Sequence, residues 1–493
     1  MILVIDIGTS SLRAVAVADD GTIHDLERRV TAPVSPAPGL VEFDPMALAD
    51  TAIEAAQAVL DRVGAVDAVG IASQRASTVV WDRSSGLPIG PGLGWQDLRT
   101  VGECLMARAE HGYELAPNQT ATKAAWLLNQ AGTTATDPCI GTVDAWIMWV
   151  LSQGAVHLTD HTNAAVTGLY HLGEGTWDSE RCETLGIDTA WLPTIVDSVG
   201  DEVVGTPTGG PAAIASALRG APPIAAVIGD QQASLVGQGC VVEGAAKITF
   251  GTGAMLDVCT GARATPSGSR SPQGTFSIVA WAHQAERVWG TEAIMLSAGT
   301  AVEWLVDDLG LIDSAAQSHD VAARCRDADG VMFVPALLGL GTPQWDYGAR
   351  GTLVGLTRGT TSAHVVRAVL EGVAHRGADL IEAARADTGL DIGVIRIDGG
   401  MSQNPTFVQA LADAAQIVVE TSPIVEATTL GAAHLAGVAT RRWSSVPDTA
   451  ALWNPAARVE PSDDPARRTE RARWRDAIAR SAEWIPELSS LDF

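Results

Sequence analysis

The sequence predicts an α/β protein whose two similar domains face one another across a central cleft. The chain has 493 residues. That length exceeds one ordinary core and suits two domains of roughly 240 residues each. An apolar strand, a glycine-containing turn and a second apolar strand open the chain, and the same arrangement returns about 245 residues downstream. Later in the chain, another apolar strand ends in two glycines and precedes an amphipathic helix.

The first element is the segment MILVIDIGTSSLRAVAVAD at the N-terminus. It predicts a buried strand, a tight turn at residues 8–11 and a second strand. Gly8 allows a ligand to approach the backbone, and the hydroxyls of Thr9 and Ser10 can donate beside the N–H groups of the turn. Asp6, at the end of the strand, could hold a metal ion through water. From these residues alone, a β-hairpin with a polar turn is an equally good explanation.

The second element, GAAKITFGTGAMLDVCTG at residues 244–261, repeats this pattern with its turn at residues 251–253. Two such phosphate loops, each opening half of the chain, predict two similar domains. The third element, IRIDGGMSQNPTFVQALADAAQI, predicts a strand at residues 395–398, a pair of glycines and a helix from about Asn404. This arrangement is expected where a nucleotide lies across the start of a helix.

Asp230 lies in the segment GDQQAS, residues 229–234, among small and apolar neighbours. A carboxylate in that setting can accept a proton from a reacting hydroxyl. An isolated Gly-Asp pair is more often a turn or helix cap satisfied by backbone N–H groups. The residues alone leave both interpretations open.

The composition excludes several classes of protein. A formal charge of −26 argues against nucleic-acid binding, which requires basic patches. The apolar runs are too short to span a bilayer, and the N-terminus lacks the basic region of a signal peptide, so no membrane association and a cytoplasmic location are expected. The six scattered cysteines are expected to be reduced packing residues. An anionic small ligand would be held by local devices such as backbone N–H groups.

Eight motifs, in order along the chain, resemble the FGGY family of carbohydrate kinases and are most similar to its glycerol kinases. They are SQRASTVVWD, GWQDLRT, GTVDAWIMW, TDHTNAAVTGLY, GDQQASLVGQGCVVEGAAKITFGTG, PALLGLGTPQWDYGARGTLVGLTRGTT, IDGGMSQNPTF and EATTLGAAHLAG. The resemblance covers nearly the whole chain. It implies two domains of the actin-like ATPase (ribonuclease H-like) fold, with the N-terminal domain at residues 1–240 and the C-terminal domain at residues 241–493.

The resemblance also implies an ATP-dependent kinase that uses Mg²⁺. Asp230 matches the family's general base, and Gln231 would bind a neighbouring substrate hydroxyl. Arg13 would face the γ-phosphate, and Asp6 would order Mg²⁺ through its waters. The residues that the family places around ATP are Gly8, Thr9, Ser10, Arg13, Gly251, Thr252, Gly299, Glu303, Gly400 and Asn404. Of these, Glu303 departs from the family pattern, which usually has Gln at that position.

The substrate side departs further from the glycerol kinase pattern. Arg75 and Trp95 match the guanidinium and indole that contact the triol, but Ala76 stands where a Glu is expected and Asn118 where a Tyr is expected. Both replacements remove partners for hydroxyl groups and are smaller. The sequence therefore predicts a polyol or ketose longer than glycerol, phosphorylated at a terminal hydroxyl. If compensating residues lie elsewhere, glycerol remains the substrate.

Two other classes share some of these features. An actin-like ATPase or chaperone-type switch would have the phosphate loops without needing Arg75, Trp95 and Asp230. A non-catalytic nucleotide sensor would have no need of Asp230. ADP release that depends on an added polyol distinguishes a kinase from both. The sequence leaves open whether the protein forms a homo-oligomer.

Overall fold

The computed structural model describes residues 1–130, 137–200, 213–263, 270–424 and 426–491, with backbone alone at residues 466–468. The strands of the first half are β1 (Ile2–Ile7), β2 (Ser11–Val17), β3 (Ile23–Val30), β4 (Glu42–Phe43), β5 (Ala68–Ser73), β6 (Thr78–Asp82), β7 (Gly92–Leu93), β8 (Pro138–Thr142), β9 (Leu158–Asp160), β10 (Tyr170–His171), β11 (Thr176–Trp177), β12 (Thr194–Val196), β13 (Ala213–Ile214) and β14 (Pro223–Gly229). Its helices are α1 (Pro45–Val63), α2 (Val101–His111), α3 (Thr120–Gln130), α4 (Val143–Leu151), α5 (His161–Ala164), α6 (Ser179–Thr184) and α7 (Asp230–Gly237).

The second half contains its own strands and helices. The strands are β15 (Ala246–Phe250), β16 (Ala254–Gly261), β17 (Phe276–His283), β18 (Glu286–Met295), β19 (Met332–Val334), β20 (Thr352–Val354), β21 (Val394–Asp398), β22 (Val418–Thr421) and β23 (Ala457–Val459). The α-helices are α8 (Gly299–Asp307), α9 (Ser318–Ala322), α10 (Ser362–Thr388), α11 (Pro405–Ala415), α12 (Ala427–Ala439), α13 (Ala466–Ser481) and α14 (Pro486–Ser489). Short 3₁₀ helices occupy Thr189–Trp191, Ala315–Gln317, Gly400–Gln403 and Pro447–Leu452.

The first large sheet has the strand order β13-β14-β5-β1-β2-β3. Strands β1, β5 and β14 run parallel, and their last residues Ile7, Ser73 and Gly229 lie in register. All six residues of β1 are buried, because helices cover both faces of the sheet. Leu3 and Ile5 belong to the cluster that includes α1 and α4, whereas Ile2 and Val4, on the opposite face, belong to the cluster that includes α7 and α12.

The second large sheet has the order β17-β18-β16-β15-β21-β22-β23. Its centre repeats the first sheet, since β15 and β16 form an antiparallel hairpin and β15 runs parallel to β21. Helices α8, α10 and α11 pack their apolar residues against one face of it. Helix α11 starts where the sequence predicted, with Asn404 as its N-cap and Pro405 in its first turn.

Helix α12 follows the second sheet in the chain but packs against strands of the first. Its residues Ala432 and Ala436 are fully buried with residues of β1 and β14. It crosses α7 so closely that a Cβ on Gly431 would overlap the carbonyl oxygen of Ala233, and a Cβ on Gly237 would overlap that of Ala427. The two halves are therefore interlocked through α7 and α12. The domain boundary after residue 240 stays a prediction.

Two expectations from composition can be compared with the structure. All six cysteines are unpaired thiols, and every one except the partly buried Cys325 is buried, as expected. None of the helices in the described ranges is long and apolar enough to cross a bilayer.

Candidate active site

Three parallel strands of the first sheet bring the predicted catalytic and first-loop residues to one edge. Strand β1 ends before the turn at residues 8–10, β5 ends before residues 74–77, and β14 ends directly before Asp230. Because parallel strands in register finish at the same sheet edge, these three segments are neighbours. Residues separated by more than 200 positions in the chain thus meet at one place.

The first loop is a tight turn, as predicted. The N–H of Gly8 donates to the carbonyl oxygen of Ser11 at 3.1 Å, and a Cβ on Gly8 would lie 2.9 Å from that oxygen. Ser10 is exposed, and Thr9 is half-buried. The indole Nε1 of Trp95 donates to Thr9 Oγ1 at 2.9 Å. This bond joins the predicted phosphate loop to the predicted substrate side.

Asp6 and Arg13 lie directly opposite one another on β1 and β2, which explains their contact. Arg13 Nη1 lies 3.1 Å from Asp6 Oδ2, and Arg13 Nε lies 3.0 Å from Glu426 Oε2. Burial raises the pKa of Asp6 to about 6, although Arg13 acts against this. Arg13, expected to face the γ-phosphate, is thus held between two carboxylates, and Glu426 is a neighbour that sequence reasoning did not include.

The second loop and the Gly399–Gly400 pair also lie at one sheet edge. Thr249 and Asp398, near the ends of the parallel strands β15 and β21, are in register. Gly399 has φ = 85°, and a Cβ on it would overlap the backbone of Phe250, so the two loops are in contact there. The N–H of Gly299 donates to the carbonyl oxygen of Gly251 at 2.9 Å, which brings the start of α8 onto the same loop. A Cβ on Gly400 would meet no atom within 4 Å.

Asn404 and Glu303, two of the residues predicted to lie around ATP, have different surroundings. Asn404 caps α11 by accepting from the N–H of Phe407 at 3.1 Å, and its Nδ2 donates to Ser318 Oγ at 2.9 Å. Glu303 is exposed on α8. Asn404 thus has a structural role, and Glu303 has the exposure of an ordinary solvated side chain.

Asp230 is the first residue of α7, and it faces Arg75, which follows the end of β5. Arg75 Nε lies 3.6 Å from Asp230 Oδ1, and Arg75 Nη2 donates to Glu292 Oε2 at 2.6 Å. Desolvation raises the pKa of Asp230, although Arg75 favours its charged form. The Asp230 side chain keeps 28% of its surface accessible, so a substrate can reach it. Arg75 Nη1 is buried and has no hydrogen-bond partner among the described residues.

The side chain of Gln231 contacts a buried cation that the sequence reasoning missed. Lys247 Nζ donates to Gln231 Oε1 at 2.7 Å and pairs with Asp257 Oδ2 at 2.7 Å. Both ionic side chains are fully buried. Lys247, Asp257 and Glu292 are the charged residues of otherwise apolar strand segments, AAKITF, AMLDVC and GTEAIM, and that was the available signal.

Ala76 and Asn118, the two departures on the substrate side, lie in different environments. Ala76 is buried and has φ = 61°. It is the central residue of a three-residue turn in which the N–H of Ser77 donates to the carbonyl oxygen of Arg75 at 2.8 Å. Such a γ-turn with positive φ is strained for a residue other than glycine. Asn118 is exposed, and its backbone carbonyl oxygen accepts from the buried Lys123 Nζ at 2.9 Å.

The donor set suits a nucleotide with a hydrated metal ion. The exposed turns offer backbone N–H groups, and the open space beside Gly400 can admit a flat group. Within the described ranges, no cluster of three or more His, Cys, Asp or Glu side chains could cage a metal. Mg²⁺ usually binds through phosphates, water and one or two carboxylates, and Asp6 and Asp230 are close enough to influence each other's charge.

Comparison with known proteins agrees with this geometry. The glycerol kinase of Aromatoleum aromaticum is 39% identical over 503 residues, covering 98% of this chain and 99% of that protein. The glycerol kinase of Deinococcus radiodurans is 38% identical over 502 residues, covering 98% of each. The crystal structure of Plasmodium falciparum glycerol kinase with ADP has a TM-score of 0.88 at 27% identity and covers 98% of both chains.

The family comparison covers both halves of the chain. Residues 1–237 match the N-terminal domain of the FGGY family of carbohydrate kinases, and residues 246–440 match its C-terminal domain. The predicted pair of actin-like ATPase domains is confirmed. The chain belongs to the FGGY family of carbohydrate kinases.

Proposed function

We propose that this protein phosphorylates a terminal hydroxyl of a polyol or ketose larger than glycerol, with Asp230 as the general base. The observation that carries the proposal is the guanidinium of Arg75, whose buried Nη1 has no hydrogen-bond partner among the described residues and whose Nε lies 3.6 Å from Asp230. A buried unpaired donor is costly unless a ligand satisfies it. A substrate hydroxyl at this point would accept from Arg75 and present its proton to Asp230.

The reaction class follows from the family. The chain is an ATP-dependent phosphotransferase that acts on a hydroxyl group, and it uses ATP with Mg²⁺. When bound, MgATP supplies the phosphoryl group and neutralises part of its negative charge. Asp230 accepts the proton of the attacking hydroxyl, and its raised pKa suits that transfer. The reaction requires ATP, which fits a cytoplasmic location.

Gln231 and Trp95 complete the acceptor site in this proposal. Lysine can only donate hydrogen bonds, so the contact with Lys247 fixes the amide oxygen of Gln231 and leaves the amide N–H groups as donors for a substrate hydroxyl. Trp95 covers the substrate while its indole N–H is bound to Thr9. A movement of the phosphate loop at Thr9 would therefore also displace Trp95, and a movement of Trp95 by the acceptor would displace the loop.

The nucleotide is proposed to lie along the loops at both sheet edges. Backbone N–H groups at residues 9–10 and 251–252 would bind its phosphates, since the N–H of Gly8 is already bonded within its own turn, and the open space beside Gly400 would receive the adenosine. Gly299 keeps α8 close to the second loop, because a Cβ there would lie 2.6 Å from the carbonyl oxygen of Gly251. Asp6 would hold Mg²⁺ through water, while Arg13 keeps that carboxylate oriented.

The proposed substrate size depends on Ala76. The small side chain at this position, next to Arg75, replaces the carboxylate expected by resemblance to glycerol kinases. Glycerol itself is the second candidate. It is favoured by the relatives named glycerol kinase, which are up to 39% identical over almost the whole chain.

A substrate panel decides between the two candidates. ADP release should be measured with purified protein, MgATP and each C3 to C6 polyol and ketose. A four- or five-carbon acceptor with the highest kcat/KM is the expected result. Glycerol with the highest kcat/KM would overturn the size proposal and leave the kinase assignment in place. ADP release without dependence on any acceptor would contradict the kinase proposal itself.

A further inference from the structure

Three charged residues form a row across neighbouring strands of the second sheet. Lys247 on β15 lies directly opposite Asp257 on β16, and Asp257 lies directly opposite Glu292 on β18. Residues paired in this way project from the same face of a sheet. Leu256 and Val258, the neighbours of Asp257, point into the core of the second half, so the row faces the first half.

Each end of this charged row contacts a residue beside Asp230. Lys247 donates to Gln231, which follows Asp230 in α7, at 2.7 Å. Glu292 accepts from Arg75 Nη2 at 2.6 Å, and its side chain is only 7% exposed. The row thus holds both side chains proposed to flank the acceptor hydroxyl, and it does so from the opposite half of the molecule.

Glu292 binds one end of the Arg75 guanidinium. With Nη2 on Glu292, Nε is 3.6 Å from Asp230 and Nη1 is left without a partner among the described residues. Without the Glu292 charge, the nearby carboxylates are Asp230 and Asp257, and Asp257 is already paired with Lys247 at 2.7 Å, which leaves Asp230 for Arg75. A guanidinium forms bidentate pairs with carboxylates readily, so Arg75 would then close onto the base and remove both groups from the acceptor.

We propose that Glu292 is a positioning residue for the phosphoryl acceptor: it holds Arg75 away from a direct pair with Asp230, presents Nη1 to the substrate, and ties the two halves together across the site. This inference rests on the proposed function for its consequence in catalysis. The tie between the halves does not depend on which acceptor is used.

The main test is Glu292→Gln, which retains shape and removes charge. The assay uses MgATP with glycerol, erythritol or xylulose as acceptor. KM for the acceptor should rise about tenfold to a hundredfold, which is the effect of losing the charge-assisted hydrogen bond between Arg75 Nη1 and the acceptor hydroxyl. KM for ATP should stay within about twofold, because the side-chain ion pair of Glu292 is made with Arg75 on the acceptor side. Glu286→Gln, an exposed glutamate at the start of the same strand, is the matched control and should behave as wild type.

A double-mutant cycle separates positioning from a structural role. If Glu292 acts through Arg75, then Glu292→Gln should not raise the acceptor KM further in an Arg75→Gln background. Glu292→Asp should restore part of the loss. Additive effects, an equal rise in KM for ATP, or a Glu292→Gln variant with wild-type acceptor KM would each overturn the proposal. If Glu292→Gln fails to fold, Glu292→Asp replaces it: the shorter carboxylate should raise the acceptor KM by a smaller factor in the wild-type background and should not raise it in the Arg75→Gln background, and a rise of equal size in both backgrounds would overturn the proposal.

Hydrogen exchange gives a readout that does not need turnover. In Glu292→Gln, amide exchange at residues 74–77 should accelerate, because the ion pair that anchors Arg75 on the second sheet becomes a weaker hydrogen bond to a neutral amide oxygen. Unchanged exchange there would contradict the tie between the halves. Wild-type protein that phosphorylates none of the three acceptors would instead count against the proposed function, and the exchange result would still decide the role of Glu292.

Discussion

Replacing Asp230 by Asn tests the proposed base directly. The substitution changes the volume little, and the amide oxygen can still accept from the N–H of Gln231, now 2.8 Å from Asp230 Oδ1. Arg75 keeps its bond to Glu292 at 2.6 Å, so its guanidinium retains a charged partner. The fold should therefore survive, with the free energy of unfolding changed by about 1 kcal/mol or less.

The expected loss of activity is large by comparison. A positioned general base contributes about a hundredfold to ten-thousandfold to the rate. That range corresponds to about 2.7 to 5.4 kcal/mol of transition-state stabilisation. KM for ATP should change little, because the two phosphate loops belong to strands other than β14.

The assay is ADP release with saturating MgATP and the best acceptor of the panel. Asp44→Asn is the matched control, since Asp44 is an exposed N-cap of α1 and Asn caps a helix as well as Asp does. Desolvation raises the pKa of Asp230, so the acid limb of the wild-type kcat/KM profile should lie above the usual aspartate value of 3.8. A kcat for Asp230→Asn within about threefold of wild type would refute the base assignment.

Three further substitutions test other contacts. Thr9→Val removes the oxygen that accepts from the Trp95 indole at 2.9 Å and should raise the acceptor KM about three- to tenfold, whereas Thr9→Ser should not; identical KM values would contradict this. Gly431→Ala should lower the urea-unfolding free energy by about 1–3 kcal/mol through overlap with α7. Gly102→Ala, in open space on α2, should raise it by about 0.5–1 kcal/mol, and two equal effects would argue against the close crossing. Burial raises the pKa of Asp6 from 3.8 to about 6, so the folded protein binds this proton more tightly than the unfolded chain does. The resulting stabilisation is complete below pH 3.8 and is lost as the pH rises through about 6. The unfolding free energy of Asp6→Asn relative to wild type should therefore increase by about 2 kcal/mol between about pH 4 and pH 7, and a constant difference would contradict the buried carboxyl.

Local patterns in the sequence predicted the parts of the site that are built locally. The hairpin around Gly8, its recurrence around Gly251 and the helix start at Asn404 all appear in the structure. Each depends on turn chemistry or on alternation of apolar residues within about 20 positions, which the sequence displays directly. The two sheets that carry the loops follow from the same patterns.

Contacts between distant segments could not be predicted in this way. Arg13 meets Glu426, and Arg75 meets Glu292, across 413 and 217 positions of chain. Neither spacing nor composition specifies which distant charge approaches which. The buried charges on β15, β16 and β18 were visible as departures from apolar strands, but their common direction depends on strand register, and register is a property of the folded sheet.

The position of α12 has a consequence for how this chain can be divided. Because Ala432, Leu435 and Ala436 complete the apolar layer on the first sheet, a fragment that stops at residue 240 would expose that layer to water and aggregate. Hybrids that exchange the first half with a relative must carry residues 427–439 from the same parent. Evolution of substrate choice in one half is thereby tied to a helix encoded almost two hundred codons later.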